Sequence, residues 1–448
     1  MRKIYKFQHG GCKHTNEHFM EEIVMINKIT DRLKYWGQLL LLPVYWLSFL
    51  VPRNKKIWLF GSTFGRRFAD NPRYLYLYVS QHKEELSIRP IWISHNEDIV
   101  RMLNAEGYEA YMYHSLKGIW HALRGKVYLF DNYSKDINFW QSGGAMKVNL
   151  WHGIPLKKIQ HDNVFDKFRH PKNIWEKFRN FPRNISDEKP NHYVLTTSEN
   201  LKPIFSSAFK TENVLVAGYP RNEVLISDEI KNIYSEEEKK DRKKIVEFLD
   251  DSSDNQNKTM IFYMPTFRQS ETLFFDNFDK DDFQTFLKEN NILFCVKLHP
   301  KSKLNKEFED IQNKNIMVIN KDADPYVFLK VADVLITDYS SIYFDYLLLD
   351  RPIIFFDYDL KKYLSDSREM YFDYDEFTPG EKINNYHELK KSILRCVNLD
   401  NENRDEYSDS RRKIREKVFD EKMSSLKCIC NEIRVINKFK FFKRNFTL

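Results

Sequence analysis

Five short stretches hold residues able to do chemistry on an anionic substrate. Leu150-Trp151-His152-Gly153-Ile154-Pro155-Leu156-Lys157-Lys158 sets a histidine directly after an apolar run, beside a glycine that lets another molecule approach the backbone closely. An imidazole so placed can act as a general base near neutral pH. Ala217-Gly218-Tyr219-Pro220-Arg221-Asn222 follows another apolar run with an arginine, which can clamp a phosphate through two parallel hydrogen bonds. Tyr263-Met264-Pro265-Thr266-Phe267-Arg268 offers a hydroxyl and a cation suited to the same anion. Val296-Lys297-Leu298-His299-Pro300 adds a cation and a second imidazole. The fifth stretch, Asp333 to Asp345, reads as a buried strand (Val334-Leu335-Ile336), a polar turn (Thr337-Asp338-Tyr339-Ser340-Ser341) and the start of an apolar helix. Ser340 or Ser341 is well placed as N-cap, and the free N–H groups of that helix start make an anion site. Asp345, one turn on, can accept hydrogen bonds from the hydroxyls of a sugar or polyol. Singly, each has an ordinary reading: a packed or capping histidine, a surface arginine, a serine cap, a solvated carboxylate. Together, two histidines, several cations and a serine-capped helix describe a site for a diphosphate substrate and a proton transfer. The stretch at 333–345 has no Walker lysine and no GxGxxG, so it is neither an ATPase loop nor a dinucleotide fingerprint.

Something must hold these stretches together, and the apolar runs before them indicate what. Short runs at 57–61, 90–93, 127–131, 147–151, 193–196 and 214–218 alternate with helix-length segments such as 71–86, 97–106 and 115–124. A second alternating set has runs at 260–264, 293–298, 316–319, 334–337 and 353–356. That spacing predicts βαβ units and two parallel sheets, whose ligands bind at the carboxyl ends of the strands. Between the sets, residues 228–257 are highly charged and read as a solvated helix and loop.

The bulk composition agrees with two domains. The chain has 448 residues, 42% of them hydrophobic, with 15% aromatics and 13 glycines, which argues against low-complexity disorder. The net charge of +7 suits anionic substrates or an anionic membrane surface and does not by itself indicate nucleic acid. Five scattered cysteines show no zinc spacing and read as reduced thiols. Residues 1–33 show no cleavable signal pattern, though Met20 to Ile29 can make a short helix. From Tyr35 to Val51 the chain is uncharged, with Pro43 in the middle and basic residues on both flanks. Its length is at the lower limit for spanning a bilayer, and the flanks favour a helix lying in the interface of the inner leaflet. The basic, aromatic tail from Lys438 to Arg444 is a second candidate membrane contact.

The motif series as a whole resembles one family. Trp-His-Gly-x-Pro-Leu-Lys at 151–157, Gly-Tyr-Pro-Arg-Asn at 218–222, Pro-Thr-Phe-Arg at 265–268, Lys-Leu-His-Pro at 297–300 and Thr-Asp-Tyr-Ser-Ser-x-x-Phe-Asp at 337–345 are similar, in order and spacing, to those of the CDP-glycerol glycerophosphotransferases, the teichoic-acid primases and polymerases and related capsule enzymes. The similarity runs from about residue 55 to 395. Phe377-Thr378-Pro379-Gly380 resembles a late Pro-Gly motif of the family, from which Glu381-Lys382 departs.

The resemblance implies an α/β, GT-B-like fold, two Rossmann-like domains facing across a cleft, with an N-terminal membrane-associating helix. The corresponding division is 1–54 for the membrane segment, 55–227 for an acceptor domain, 228–257 for the linker, 258–400 for a CDP-donor domain and 401–448 for terminal helices and tail. It implies transfer of glycerol phosphate or ribitol phosphate from CDP-glycerol or CDP-ribitol to a hydroxyl of a lipid-linked or polymeric acceptor, with release of CMP. No cofactor and no metal are expected; Asp373-Tyr374-Asp375 is a decoy. The enzyme would sit peripherally on the cytoplasmic face of the membrane. His152 and His299 would be the essential histidines. Gly153, Pro155, Arg221, Thr266, Arg268, Lys297, Thr337, Asp338, Ser340, Ser341 and Asp345 would lie along the donor. His152 is assigned to the acceptor proton and His299 to the phosphates. Two rivals are a GT-B sugar-nucleotide glycosyltransferase, separable by which nucleotide is released, and a non-catalytic nucleotide-binding membrane scaffold. Binding alone needs cations and N–H groups but no base, so the paired histidines argue against the scaffold.

Overall fold

Each apolar run forms a strand because its side chains are buried on both faces, as parallel sheets require. In the computed structural model, residues 30–187, 191–251, 258–266, 278–299, 301–302, 304–360, 369–399, 405–420 and 426–439 are described. The first seven strands are β1 (Asn54–Phe60), β2 (Arg89–Ser94), β3 (Ala110–Met112), β4 (Gly125–Phe130), β5 (Met146–Asn149), β6 (Tyr193–Thr196) and β7 (Val214–Val216). They make a parallel sheet in the order β3-β2-β1-β4-β5-β6-β7. The next six are β8 (Thr259–Tyr263), β9 (Ile292–Val296), β10 (Ile316–Val318), β11 (Val334–Thr337), β12 (Ile353–Phe356) and β13 (Glu381–Ile383), ordered β10-β9-β8-β11-β12-β13, again all parallel. The expected pair of Rossmann-like domains is therefore present. The strand order reverses between β1 and β4 and again between β8 and β11, and the crevices for ligands open beyond the carboxyl ends at those points. The two strands with no counterpart among the apolar runs, β3 and β13, have three residues each and lie at sheet edges. Half-exposed edges select less strongly for apolar residues.

Eight helices matter to the site: α1 (Leu42–Leu47), α2 (Asp70–Gln81), α3 (Ile174–Asp187), α4 (Pro220–Ile226), α5 (Glu236–Leu249), α6 (Ile342–Tyr346), α7 (Ser408–Val418) and α8 (Leu426–Phe439). Helix α2 is buried from Asn71 to Val79 and lacks a side-chain cap of its own. Its first N–H is capped from the other domain: Asp70 N donates to Asp324 at 2.7 Å. A carboxylate suits the positive end of a helix.

Three expectations change. The charged linker is not merely solvated. Ser235 and Glu238 form a reciprocal capping box at the start of α5, and Ile245 and Phe248 are buried beneath it. Glu238 is buried as well, bridging Arg73 Nη1 of α2 at 2.8 Å and the N–H of Asp324 at 3.0 Å. The carboxy-terminal helices, set apart as 401–448 in the sequence, do not stand alone. Val418 O and Lys417 O accept hydrogen bonds from Thr197 and Ser198, and Asn437 in α8 donates to Lys55 O, so the chain returns to the first domain. The segment 35–51 is not one continuous α-helix: 3₁₀ turns at Gln38–Leu41 and Ser48–Leu50 flank α1, with Pro43 in its first turn. No helix among the described residues is long and apolar enough to cross a membrane. Residues 1–29 and 440–448, including the 20–29 helix and most of the basic tail, lie outside the described residues.

Candidate active site

His152 stands at the carboxyl end of β5, next to β4, and is exposed. Its Nδ1 lies 3.0 Å from Asp131 O at the end of β4. A carbonyl only accepts, so Nδ1 carries a proton, and in the neutral ring the lone pair then lies on Nε2, the form a general base needs. The ring rests on the Trp151 indole with centroids 3.9 Å apart. Asp131 is fixed in turn by Ser62 Oγ at 2.6 Å and Thr63 N at 3.0 Å, from the loop after β1. Pro155 is buried, and beyond it the chain pairs with the second domain. Lys157 forms an antiparallel bridge with Met370, Tyr371 N donates to Leu156 O at 2.9 Å, and Tyr371 Oη donates to Asp162 at 2.6 Å. The histidine loop is thus held by both domains.

Arg221, in the first turn of α4, meets the same loop from the side. It is 2% exposed. Nη1 donates to Asp70 at 2.9 and 3.1 Å, and Nη2 to Asp345 of the second domain at 2.6 Å. Tyr326 Oη also donates to Asp345, and its ring lies 4.7 Å below the guanidinium carbon. Burial favours loss of the Arg221 proton, but Asp345 and Asp70 outweigh it and raise its pKa well above the ordinary value. Burial pushes the Asp345 carboxyl upward, against the pull of the guanidinium at 2.6 Å. Gly153 packs against this pair. A Cβ there would lie 3.0 Å from Ser341 Oγ and 3.3 Å from Arg221 Nη2, at a φ of +151°. Gly153, Arg221 and Ser341, far apart in sequence and split between domains, therefore share one spot.

At the second switch point the carboxyl ends of β8 and β11 are tied together. Thr337 Oγ1 donates to Met264 O at 2.8 Å, and buried Asp338 accepts from Thr266 N at 2.8 Å and Ser340 N at 3.2 Å. Ser340 and Ser341 are half-buried. The serine N-cap does not form: Ser341 precedes α6 in a helical rather than extended conformation and makes no side-chain cap bond, and Phe344 N donates to its backbone carbonyl at 3.2 Å. Lys297 follows β9, is buried, and donates to Asn320 O at 2.6 Å and Lys321 O at 2.8 Å. Burial, with Arg67 nearby, lowers its pKa to about 7 against the pull of Asp324, Asp322 and Asp241. His299 is exposed; its Nδ1 accepts from Lys301 N at 3.2 Å. Arg268 lies outside the described residues.

Apart from buried Pro155 and Arg268, which lies outside the described residues, the expected site residues sort by geometry. His152, Gly153, Ser340, Ser341, Thr266 and His299 present themselves at strand ends. Arg221, Lys297, Thr337, Asp338 and Asp345, expected along the donor, hydrogen-bond to the protein itself, although Arg221 Nε and Asp345 Oδ1 have no hydrogen-bond partner. Asp345, expected to accept from polyol hydroxyls, is fully buried and accepts from Arg221 and Tyr326.

Residues 44–430 match the CDP-Glycerol:Poly(glycerophosphate) glycerophosphotransferase family. The chain belongs to this family. The glycerophosphotransferase is 27% identical over 381 residues to the teichoic acid poly(glycerol phosphate) polymerase of Bacillus spizizenii, covering 80% of this chain and 89% of the relative. It is 26% identical over 386 residues to the teichoic acid glycerol-phosphate transferase of Staphylococcus aureus, covering 83% and 90%. The solved wall teichoic acid polymerase TagF superposes with a TM-score of 0.64 at 23% identity, over 92% of this chain and 98% of that one. That likeness confirms the GT-B-like fold. The glycerophosphotransferase is accordingly a polyol-phosphate transferase of the CDP-polyol class.

Several residues at the site drew no attention in the sequence: Asp70, Asn71, Glu238, Asp324 and Tyr326. Asp70-Asn71-Pro72 has the acidic residue and first-turn proline of a helix start, a signal for α2 but not for the partners it meets across the cleft.

Proposed function

We propose that this glycerophosphotransferase transfers glycerol phosphate from CDP-glycerol to a hydroxyl of a membrane-held acceptor, with His152 as general base. The observation that carries the reading is the tautomer: Nδ1 donates to Asp131 O, and exposed Nε2 keeps its lone pair. A polyol hydroxyl is a weak nucleophile while it keeps its proton. Nε2 takes that proton as the oxygen attacks the β-phosphorus, the new P–O bond forms, and the bond to CMP breaks with its electron pair leaving on CMP. The developing charge is met by the hydroxyls of Ser340 and Ser341 beside Gly153 and by His299. Thr266 extends that donor wall. The glycerol donor is favoured over ribitol by the family matched and by the names of the two relatives above. The test is product mass from CDP-glycerol and CDP-ribitol with membranes as acceptor source. Addition of ribitol phosphate alone would overturn the choice of polyol, and release of a different nucleotide from a sugar donor would overturn the class.

The same reading places the protein peripherally on a bilayer, at its cytoplasmic face. What supports this is an apolar surface left exposed among the described residues: Leu40 is 82% exposed and Leu50 77%, and Trp46, Leu47 and Phe49 lie between them, all exposed. Helix α3 continues it with Ile174, Trp175 (78% exposed) and Phe178. Trp36 stacks on Phe178 at 5.0 Å, joining the two faces. Aromatic and aliphatic groups in this arrangement, edged by Lys34 and Lys177, suit an interfacial helix pair.

A further inference from the structure

We infer that Asn71 is the positioning residue for His152, an inference that rests on His152 being the base. Asn71 touches neither the imidazole's polar atoms nor any exposed surface; it is fully buried in the first turn of α2. Its side-chain amide is completely used. Nδ2 donates to Leu150 O at 3.1 Å and Trp151 O at 2.8 Å, and Oδ1 accepts from Arg221 N at 3.1 Å. One amide therefore ties the histidine loop to the arginine helix.

The loop needs the tie. Trp151 has a φ of +54°, a left-handed conformation that a bulky residue holds only where its surroundings over-determine it. Those surroundings are countable: Asn71 on the carbonyls of residues 150 and 151, Asn149 Oδ1 on Trp151 N at 2.8 Å, and Tyr219 Oη on Gly153 O at 3.3 Å. His152 leans its ring on the Trp151 indole and points Nδ1 at Asp131 O. If the Trp151 peptide relaxed to an ordinary φ, both supports would shift and Nε2 would turn away from the acceptor. Only an amide fits at position 71. A carboxylate would repel the two carbonyls, and an apolar group would leave them and Arg221 N without partners in the interior.

The test compares single-turnover glycerol-phosphate transfer and CDP-glycerol affinity for wild type, Asn71→Asp, His152→Ala and the double variant. Asn71→Asp keeps an oxygen for Arg221 N but loses both donors. The expected loss is about 100-fold in turnover, the scale of a small misplacement of a reacting group, with donor affinity little changed. In the His152→Ala background the same change should cost nothing more, because the group it aims is gone. Asn149→Ala, which releases Trp151 N, should behave alike and serves if Asn71→Asp does not fold. If the losses from Asn71 and His152 multiply, Asn71 is merely structural and the inference falls while the base stands. If His152→Ala keeps wild-type turnover, the base assignment falls first and the positioning role with it.

Discussion

Replacing Arg221 by methionine should weaken the fold more than it weakens donor binding. From the sequence alone, an arginine after Gly-Tyr-Pro is a phosphate clamp, and its loss would cost about 1.5–3 kcal/mol of donor binding. In the structure its two arms are occupied by Asp70 and Asp345, with Arg221 and Asp345 side chains 3% and 0% exposed. Methionine fills much of the volume but leaves the Asp345 carboxyl in the interior with only the Tyr326 hydroxyl, where it either stays charged without a cation or must take up a proton, and both cost stability. Removing one member of a buried pair costs about 3–5 kcal/mol. Asp70 is 22% exposed and recovers some hydration, which favours the lower half of that range. Because the pair joins the two domains, the loss should appear as a lower denaturation midpoint and as faster amide exchange in 68–73 and 342–346. Asp345→Asn in the Arg221→Met background removes the orphaned charge and should restore most of the lost stability. Urea denaturation of wild type, Arg221→Met, Asp345→Asn and the double variant, with CDP-glycerol titrations alongside, makes the comparison. An Arg221→Met protein as stable as wild type but deficient in donor binding would refute the reasoning and reinstate the clamp.

Gly153→Ala combines a φ of +151° with a Cβ 3.0 Å from Ser341 Oγ, so turnover should drop while the fold survives; wild-type kcat would show that the loop and Ser341 separate without cost. Lys297 has a folded-state pKa of about 7, below the ordinary lysine value, so the unfolded chain binds more protons between the two and stability should rise with pH. From pH 7 to 9 the gain should be roughly 2 kcal/mol, and Lys297→Met should abolish that slope in chemical denaturation series. Leu47→Glu with Trp175→Glu should reduce sedimentation with anionic vesicles severalfold while leaving CDP-glycerol affinity intact; unchanged sedimentation would move the membrane contact elsewhere.

The sequence by itself determined the sheets and the strand ends. Buried parallel strands need unbroken apolar runs, and runs such as 57–61, 127–131 and 334–337 have no other stable use, so eleven of the strands and the cleft at their carboxyl ends were legible in it. The histidine after β5 and the glycine beside it were legible for the same reason: chemistry collects where strands stop. The edge strands β3 and β13 were not, being too short and too exposed to leave a pattern. Which charges meet was decided only by tertiary structure. Arg221 looks the same in sequence whether it faces a phosphate or two carboxylates, and Asp70 and Asp345 are brought to it by helices from opposite domains. Asn71 reads as one polar residue at the start of a helix until α2 sinks between the sheets and its amide has only loop carbonyls and one N–H to bond. The need to satisfy every polar group in a water-free interior selects such partners, and that need acts across space rather than along the chain.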